Sequence, residues 1–187
     1  MARLIWSGIQ SLDGYIADAD GDFDWSAPDE EVHAFVNERE RGIGTYLYGR
    51  RLYEVMKVWQ DIDETFPDVS PAMLDYARLW READKVVYST TLSTVPLPRT
   101  RLERRFDVDA VRRLVADADT DVGIGGAELA GLAVRAGLVD QYQLYVNPVI
   151  VGGGSRYLPP DVRIDLELTD EHRFSNGVVY LEYRRRR

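Results

Sequence analysis

Short, nearly continuous apolar runs alternate along this chain with amphipathic segments, and the two periods separate strands from helices. Residues 3–9 (RLIWSGI) have the pattern of a strand buried on both faces. Residues 10–27 are polar, with Gly14 and Gly21, and read as a loop. Pro28 then opens a helix to about Arg41, stopped by Gly42 and Gly44. Thr45–Tyr48 reads as a short strand, which Gly49 turns into a helix from Arg50 to about Val58. Ser70-Pro71 places a capping hydroxyl before a proline at the first helical position. Behind it Met73, Tyr76, Ala77 and Trp80 keep the i, i+3, i+4, i+7 spacing of an apolar stripe. Residues 85–89 predict a strand and 102–105 a short one, and Asp107 caps a helix whose face is Val108, Val111, Leu114 and Val115. Asp121–Ile124 predicts a strand entering Gly125-Gly126, and a helix over Ala127–Ala136 ends at Gly137 in a left-handed cap.

After residue 140 the pattern changes. Gln141–Val151 reads as a long strand, and Pro148 inside it predicts an edge position or a bulge. Gly152–Gly154 reads as a flexible loop, and Val162–Leu168 alternates like a half-exposed strand. Asn176-Gly177, between HRFS and VVYLEY, is a hairpin signal, since both residues accept positive φ. The expected architecture is α/β: a mixed, mainly parallel central sheet flanked by helices on both faces, with an antiparallel C-terminal hairpin.

Composition narrows the function. A length of 187 residues suits one domain, 1–187, and 45% hydrophobic residues can bury a core. No run of about 18 apolar residues exists, so no membrane-spanning helix is expected. The opening MARLIWSGIQSLDG breaks its apolar run at Ser7, Gly8 and Gln10, so a secretory signal is not expected either, and a cytoplasmic location is. The absence of cysteine excludes disulfides, thiolate catalysis and cysteine-held metals. The net charge, 23 − 32 = −9, makes a poor general partner for nucleic acid, and the basic tail Arg184–Arg187 reads as a solvated terminus.

DADGDFD (Asp18–Asp24) is not a calcium loop of the helix–loop–helix kind, because Phe23 stands where that loop needs glycine. Gly123–Gly126 lacks the third glycine of a dinucleotide fingerprint, with Glu128 in its place, and it comes late in the chain. His33 and His172 have no metal-ligand spacing, and His33 reads as a surface residue. Three strand ends carry features suited to an anionic dinucleotide. At Tyr48-Gly49-Arg50-Arg51-Leu52, a glycine lets backbone amides approach a phosphate beside two guanidiniums and a helix start. At Ser89-Thr90-Thr91, hydroxyls can bind phosphate oxygens or cap a turn. At Ile124-Gly125-Gly126-Ala127, two glycines admit a close ligand or simply make a tight turn. Ligands of open α/β sheets bind outside the carboxyl ends of strands, so the three can share one crevice.

SLDGYIA (Ser11–Ala17), Trp25, YGRRLYEV, KVVYSTTL (Lys85–Leu92), VGIGGAELA (Val122–Ala130) and LYVNPVIVGGG (Leu144–Gly154) occur here in an order that resembles the dihydrofolate-reductase-like superfamily. The resemblance is strongest to the branch containing the reductase domain of the bifunctional riboflavin-biosynthesis deaminase-reductase. It implies an NADPH-dependent reductase of a small heterocycle, pteridine- or pyrimidine-like, or of another C=N or C=O bond, and a homodimer. The alternative is a non-catalytic nucleotide- or ligand-binding module on the same fold. The resemblance assigns Gly49, Arg50, Arg51 and Leu52 to the cofactor's phosphates, and Ser89, Thr90 and Thr91 to the adenosine and its 2′-phosphate. It assigns Gly125, Gly126, Ala127, Glu128 and Leu129 to the pyrophosphate and nicotinamide side, and Ile16 and Ala17, in a lid loop, to the nicotinamide. It also implies a cis Gly125–Gly126 bond. Two departures stand out. Leu52 replaces a frequent threonine, and Glu128 puts a negative charge where arginine is common, so it must turn away or be paired. For the proton the candidates are Asp13, Glu30 and Glu31, in that order, although Asp13-Gly14 is also an ordinary turn pair.

Overall fold

A computed structural model describes residues 1–186. Its strands are β1 (Leu4–Ser11), β2 (Tyr15–Ala17), β3 (Ile43–Gly49), β4 (Asp84–Tyr88), β5 (Thr100–Glu103), β6 (Asp121–Gly125), β7 (Gln141–Asn147), β8 (Ser155–Arg156), β9 (Leu166–Arg173) and β10 (Val179–Arg185). Its helices are α1 (Glu30–Glu40), α2 (Arg50–Met56), α3 (Ile62–Thr65), α4 (Pro71–Glu82), α5 (Val108–Asp117) and α6 (Ala127–Arg135), with 3-10 turns at Asp24–Ser26 and Lys57–Gln60. Eight strands form one sheet in the order β5-β4-β3-β6-β1-β7-β10-β9. The pairings from β5 to β7 are parallel, and β10 runs antiparallel to both β7 and β9. β2 and β8 make a separate antiparallel pair. This is the expected mixed, mainly parallel sheet.

Strand alternation divides the core between the two faces. Leu4, Trp6, Leu47, Val86, Val122 and Ile124 pack with Val111 of α5 and with Leu129, Ala133 and Val134 of α6. On the opposite face Ile5, Tyr46, Tyr48 and Val87 meet Tyr76 and Trp80 of α4, while Ile9, Tyr145 and Tyr180 meet Val32, Phe35 and Val36 of α1. Side chains start three of the helices. Asp29 accepts the Val32 N–H at 2.9 Å, Ser70 the Met73 N–H at 3.3 Å, and Asp107 the Ala110 N–H at 2.7 Å. Gly137, at φ +65°, closes α6 in the left-handed region.

Several boundaries differ from the sequence expectation. α1 begins behind Asp29 rather than at Pro28, because the carboxylate supplies the cap. Gly44 lies inside β3 instead of ending α1; a Cβ there would stand 2.0 Å from Thr120 Oγ1, so close approach fixes that glycine. β7 stops at Asn147 and is an interior strand between β1 and β10, so Pro148 falls just outside it and requires neither edge nor bulge. The last hairpin begins at Leu166, leaving residues 162–165 outside the strand. The polar loop 10–27 contains β2, whose partner β8 is about 140 residues away in sequence and leaves no local signal. Arg184 and Arg185 of the basic tail belong to β10, and Arg187 lies outside the described residues. Among the described residues no helix is long and apolar enough to cross a membrane.

Candidate active site

A cleft of about 1000 Å³ opens at the carboxyl ends of β1, β3, β4 and β6. The parallel register sets Tyr48 level with Gly125, and Gly49 level with Tyr88. The strand ends that carry the three sequence segments therefore lie side by side. Alternation in β6 sends Val122 and Ile124 into the core under α5 and α6 and leaves Gly123 and Gly125 on the cleft side. A Cβ at Gly123 would stand 2.9 Å from the Tyr46 ring, and one at Gly125 would stand 2.4 Å from Leu52 Cδ2. Glycine on this strand is what lets the rings and Leu52 fill the floor while space remains above them. Gly126, at φ +88°, turns the chain into α6, whose first amides have no partners within the helix. The Gly125–Gly126 peptide is trans, contrary to the expected cis form.

Ile16, Ala17, Gly49, Arg50, Arg51, Leu52, Ser89, Thr90, Thr91, Gly125, Gly126, Ala127, Glu128 and Leu129 all line this one cleft. Glu128 is paired with Arg51 at 3.8 Å, with both side chains almost fully exposed, so the pair contributes little to stability but offsets the misplaced charge. Ser89 Oγ accepts the N–H groups of Thr91 at 3.2 Å and Leu92 at 3.0 Å. Arg104 also lines the cleft and holds the same turn from outside, donating to the carbonyls of Ser89 at 3.2 Å and Leu92 at 2.5 Å. Sequence reading missed Arg104. Its signal was the Arg104-Arg105 pair just past β5, a strand whose parallel pairing brings Arg104 beside the β4 end.

The three nominated acids are elsewhere, and none of them lines the cleft. Asp13 accepts the N–H groups of Val151 at 3.2 Å and Gly152 at 2.8 Å, tying the β1–β2 turn to the loop after β7. The Ser11 hydroxyl and these amides hold its carboxyl below the usual range. Glu30 accepts the Ala72 N–H at 3.2 Å. Glu31 accepts the N–H of Ser175 at 3.2 Å and also its hydroxyl.

His33 corrects the surface assignment. It is 8% exposed, lines the cleft, and packs 5.7 Å from the Trp59 ring and 5.8 Å from that of Tyr76. No group among the described residues hydrogen-bonds its ring nitrogens, and burial lowers its pKa although Glu30 and Asp75 oppose this. Glu40 is buried on the same helix face and lines the cleft. It accepts from the Tyr46 hydroxyl at 2.8 Å, with Ser7 as a second donor, yet burial still raises its pKa. The inward stripe of α1 is Val32, His33, Asn37 and Glu40, half of it ionisable, so apolar periodicity could not reveal it. The Asp18–Asp24 loop folds around Asp18, whose carboxylate accepts the N–H groups of Asp20 and Asp22, each at 2.9 Å. Among the described residues no cluster of three metal-ligating side chains occurs.

A model of the RibD C-terminal domain family matches residues 2–180. The chain belongs to that family. It is 28% identical over 185 residues to YyaP of Bacillus subtilis (strain 168), a protein whose function is uncharacterised, covering 97% of this chain and 94% of that one. Among solved structures it superposes on a protein of Shewanella sp. PV-4 named for riboflavin biosynthesis, with a TM-score of 0.75, 22% identity and full coverage of both chains. It also superposes on dihydrofolate reductase of Enterococcus faecalis complexed with NADP(H), with a TM-score of 0.64, 13% identity, and coverage of 99% and 97%. At those identities the two structures share a fold with this RibD C-terminal domain. The reductase-type fold is thus established by family and by shape.

Proposed function

We propose that the cleft binds NADPH and that the protein is a reductase, delivering hydride to a C=N or C=O bond of a small heterocycle. The observation that carries the reading is the meeting of fourteen sequence-nominated positions, from four separate segments, in one cleft floored by glycine. The cradle fits such a cofactor. The amides at the start of α6 and the Arg50 and Arg51 guanidiniums suit a pyrophosphate, and Thr90, Thr91 and Arg104 suit a further phosphate. Leu52 offers no hydroxyl and serves as packing against Gly125. When bound, the reduced nucleotide supplies the hydride.

The chain itself must hold a proton for the acceptor. In place of the three occupied acids we assign that role to His33, whose ring nitrogens are unengaged and which faces the cleft at the end away from the arginines. The neutral imidazole keeps one ring N–H and one bare nitrogen, so it can pass a proton to the acceptor as it takes one from water. A second reading, a binding module without turnover, draws support from the occupation of Asp13, Glu30 and Glu31 in structural bonds. Loss of NADPH absorbance with dihydropterin and aminopyrimidine acceptors separates the two. Turnover that His33→Gln slows about a hundredfold supports the reductase, while a melting shift with NADPH and no turnover of any acceptor supports the module.

A further inference from the structure

All the arginines that line the cleft, among the described residues, stand at its nucleotide end: Arg50, Arg51 and Arg104. The other end, between α1, α4 and the turn at Lys57–Gln60, is built from different chemistry. Trp59 and Tyr76 meet edge to face at 4.7 Å, and His33 packs against both. Burial keeps His33 below the ordinary histidine pKa, so it adds no cation at neutral pH. Deeper in, the Glu40 carboxyl faces the Tyr46 hydroxyl, and the Tyr145 hydroxyl, 1% exposed, has no partner among the described residues. At the lip lies the loop of Asp18, Asp20, Asp22 and Asp24, which contributes Phe23 and Asp24 to the lining.

These features select by charge and shape. A phosphorylated compound would bring nearly two negative charges to a chamber that offers carboxylates and no guanidinium, and like charges at such a distance oppose binding. A flat ring would meet aromatic edges and faces at favourable geometry. Its N–H groups would meet the buried Glu40 carboxyl and the Tyr145 phenol oxygen, the latter without a partner among the described residues.

We propose that the substrate end of this cleft takes an unphosphorylated, neutral or cationic planar heteroaromatic compound bearing N–H donors, and rejects its sugar-phosphate counterparts. The proposal rests on the reductase reading, because it takes the arginine end to be filled by NADPH.

The test compares neopterin with neopterin monophosphate, which share a ring and differ by one phosphate, in calorimetric titrations of the NADPH-saturated protein. Neopterin is expected to bind, and the monophosphate about tenfold or more weakly. Asp20→Asn combined with Asp24→Asn, two carboxylates that accept no hydrogen bond among the described residues, should narrow the ratio about threefold. Glu40→Gln should weaken both probes about tenfold. A monophosphate that binds as tightly as neopterin overturns the proposal, as does NADPH-loaded protein that binds neither. An unchanged ratio in the doubly neutralised lip, or unchanged affinity in Glu40→Gln, also contradicts it. The melting temperature with NADPH alone is read first; if it does not rise, it is the reductase reading that fails.

Discussion

A methyl group on Gly125 would occupy the same space as the Leu52 side chain, 2.4 Å away, so the floor of the cleft is set by what one residue lacks. Arg50 acts in the opposite way, by what it adds. It lines the cleft beside Arg51, whose charge is shared with Glu128. Arg50→Ala should therefore weaken NADPH about tenfold and NADH less, read as two dissociation constants. An equal loss for both would remove Arg50 from the extra phosphate. His33 has a signature in stability as well as in turnover. Its folded pKa lies below the ordinary value near 6.5, so at acid pH the unfolded chain takes up the proton first. Its contribution is complete above that value and declines as pH falls through it toward the folded pKa. Denaturant titrations from pH 8 to 5 should show a loss that His33→Gln removes. The same slope in both proteins would place the titration elsewhere.

Elements carry these residues to one place, and some of that was legible in advance. The end of β3 before Arg50, the end of β4 before Ser89 and the end of β6 at Gly125 follow from apolar runs closed by small or polar residues, and their parallel register makes them neighbours. The stripe of α4 was legible because its inward face is apolar. α1 was legible as a helix but not as a cleft wall, since His33, Asn37 and Glu40 share its inward side with Val32. β2 and β8 were not legible, because a pair of two- and three-residue strands is set by the loop between distant elements rather than by its own pattern. The turn 89–93 was half legible. Its hydroxyls were seen, but the Arg104 clamp depends on where β5 lies. Arg104→Ala should free the carbonyls of Ser89 and Leu92 and loosen that turn. Amide exchange should rise over residues 89–93 with little change in β6, and protection that persists would show that Ser89 alone shapes the turn.

For the whole molecule, charge is distributed to match the two ends of one cleft. A chain of net charge −9 places three arginines at one end of the cleft and an acidic loop across the other. Both faces of the sheet are covered by helices, so the carboxyl ends of the strands are where backbone amides stay open to a ligand. A ligand seated there joins β1, β3, β4 and β6 and should stabilise all of them together. At a hundred times its dissociation constant the gain is about 2.7 kcal/mol, on the order of 5–10 °C in melting temperature for a chain of this size. The most direct test is a calorimetric titration of the wild-type protein with NADPH and, in parallel, with NADH. The account predicts one NADPH site per chain, filled more tightly than with NADH. No heat of binding from either nucleotide would contradict it.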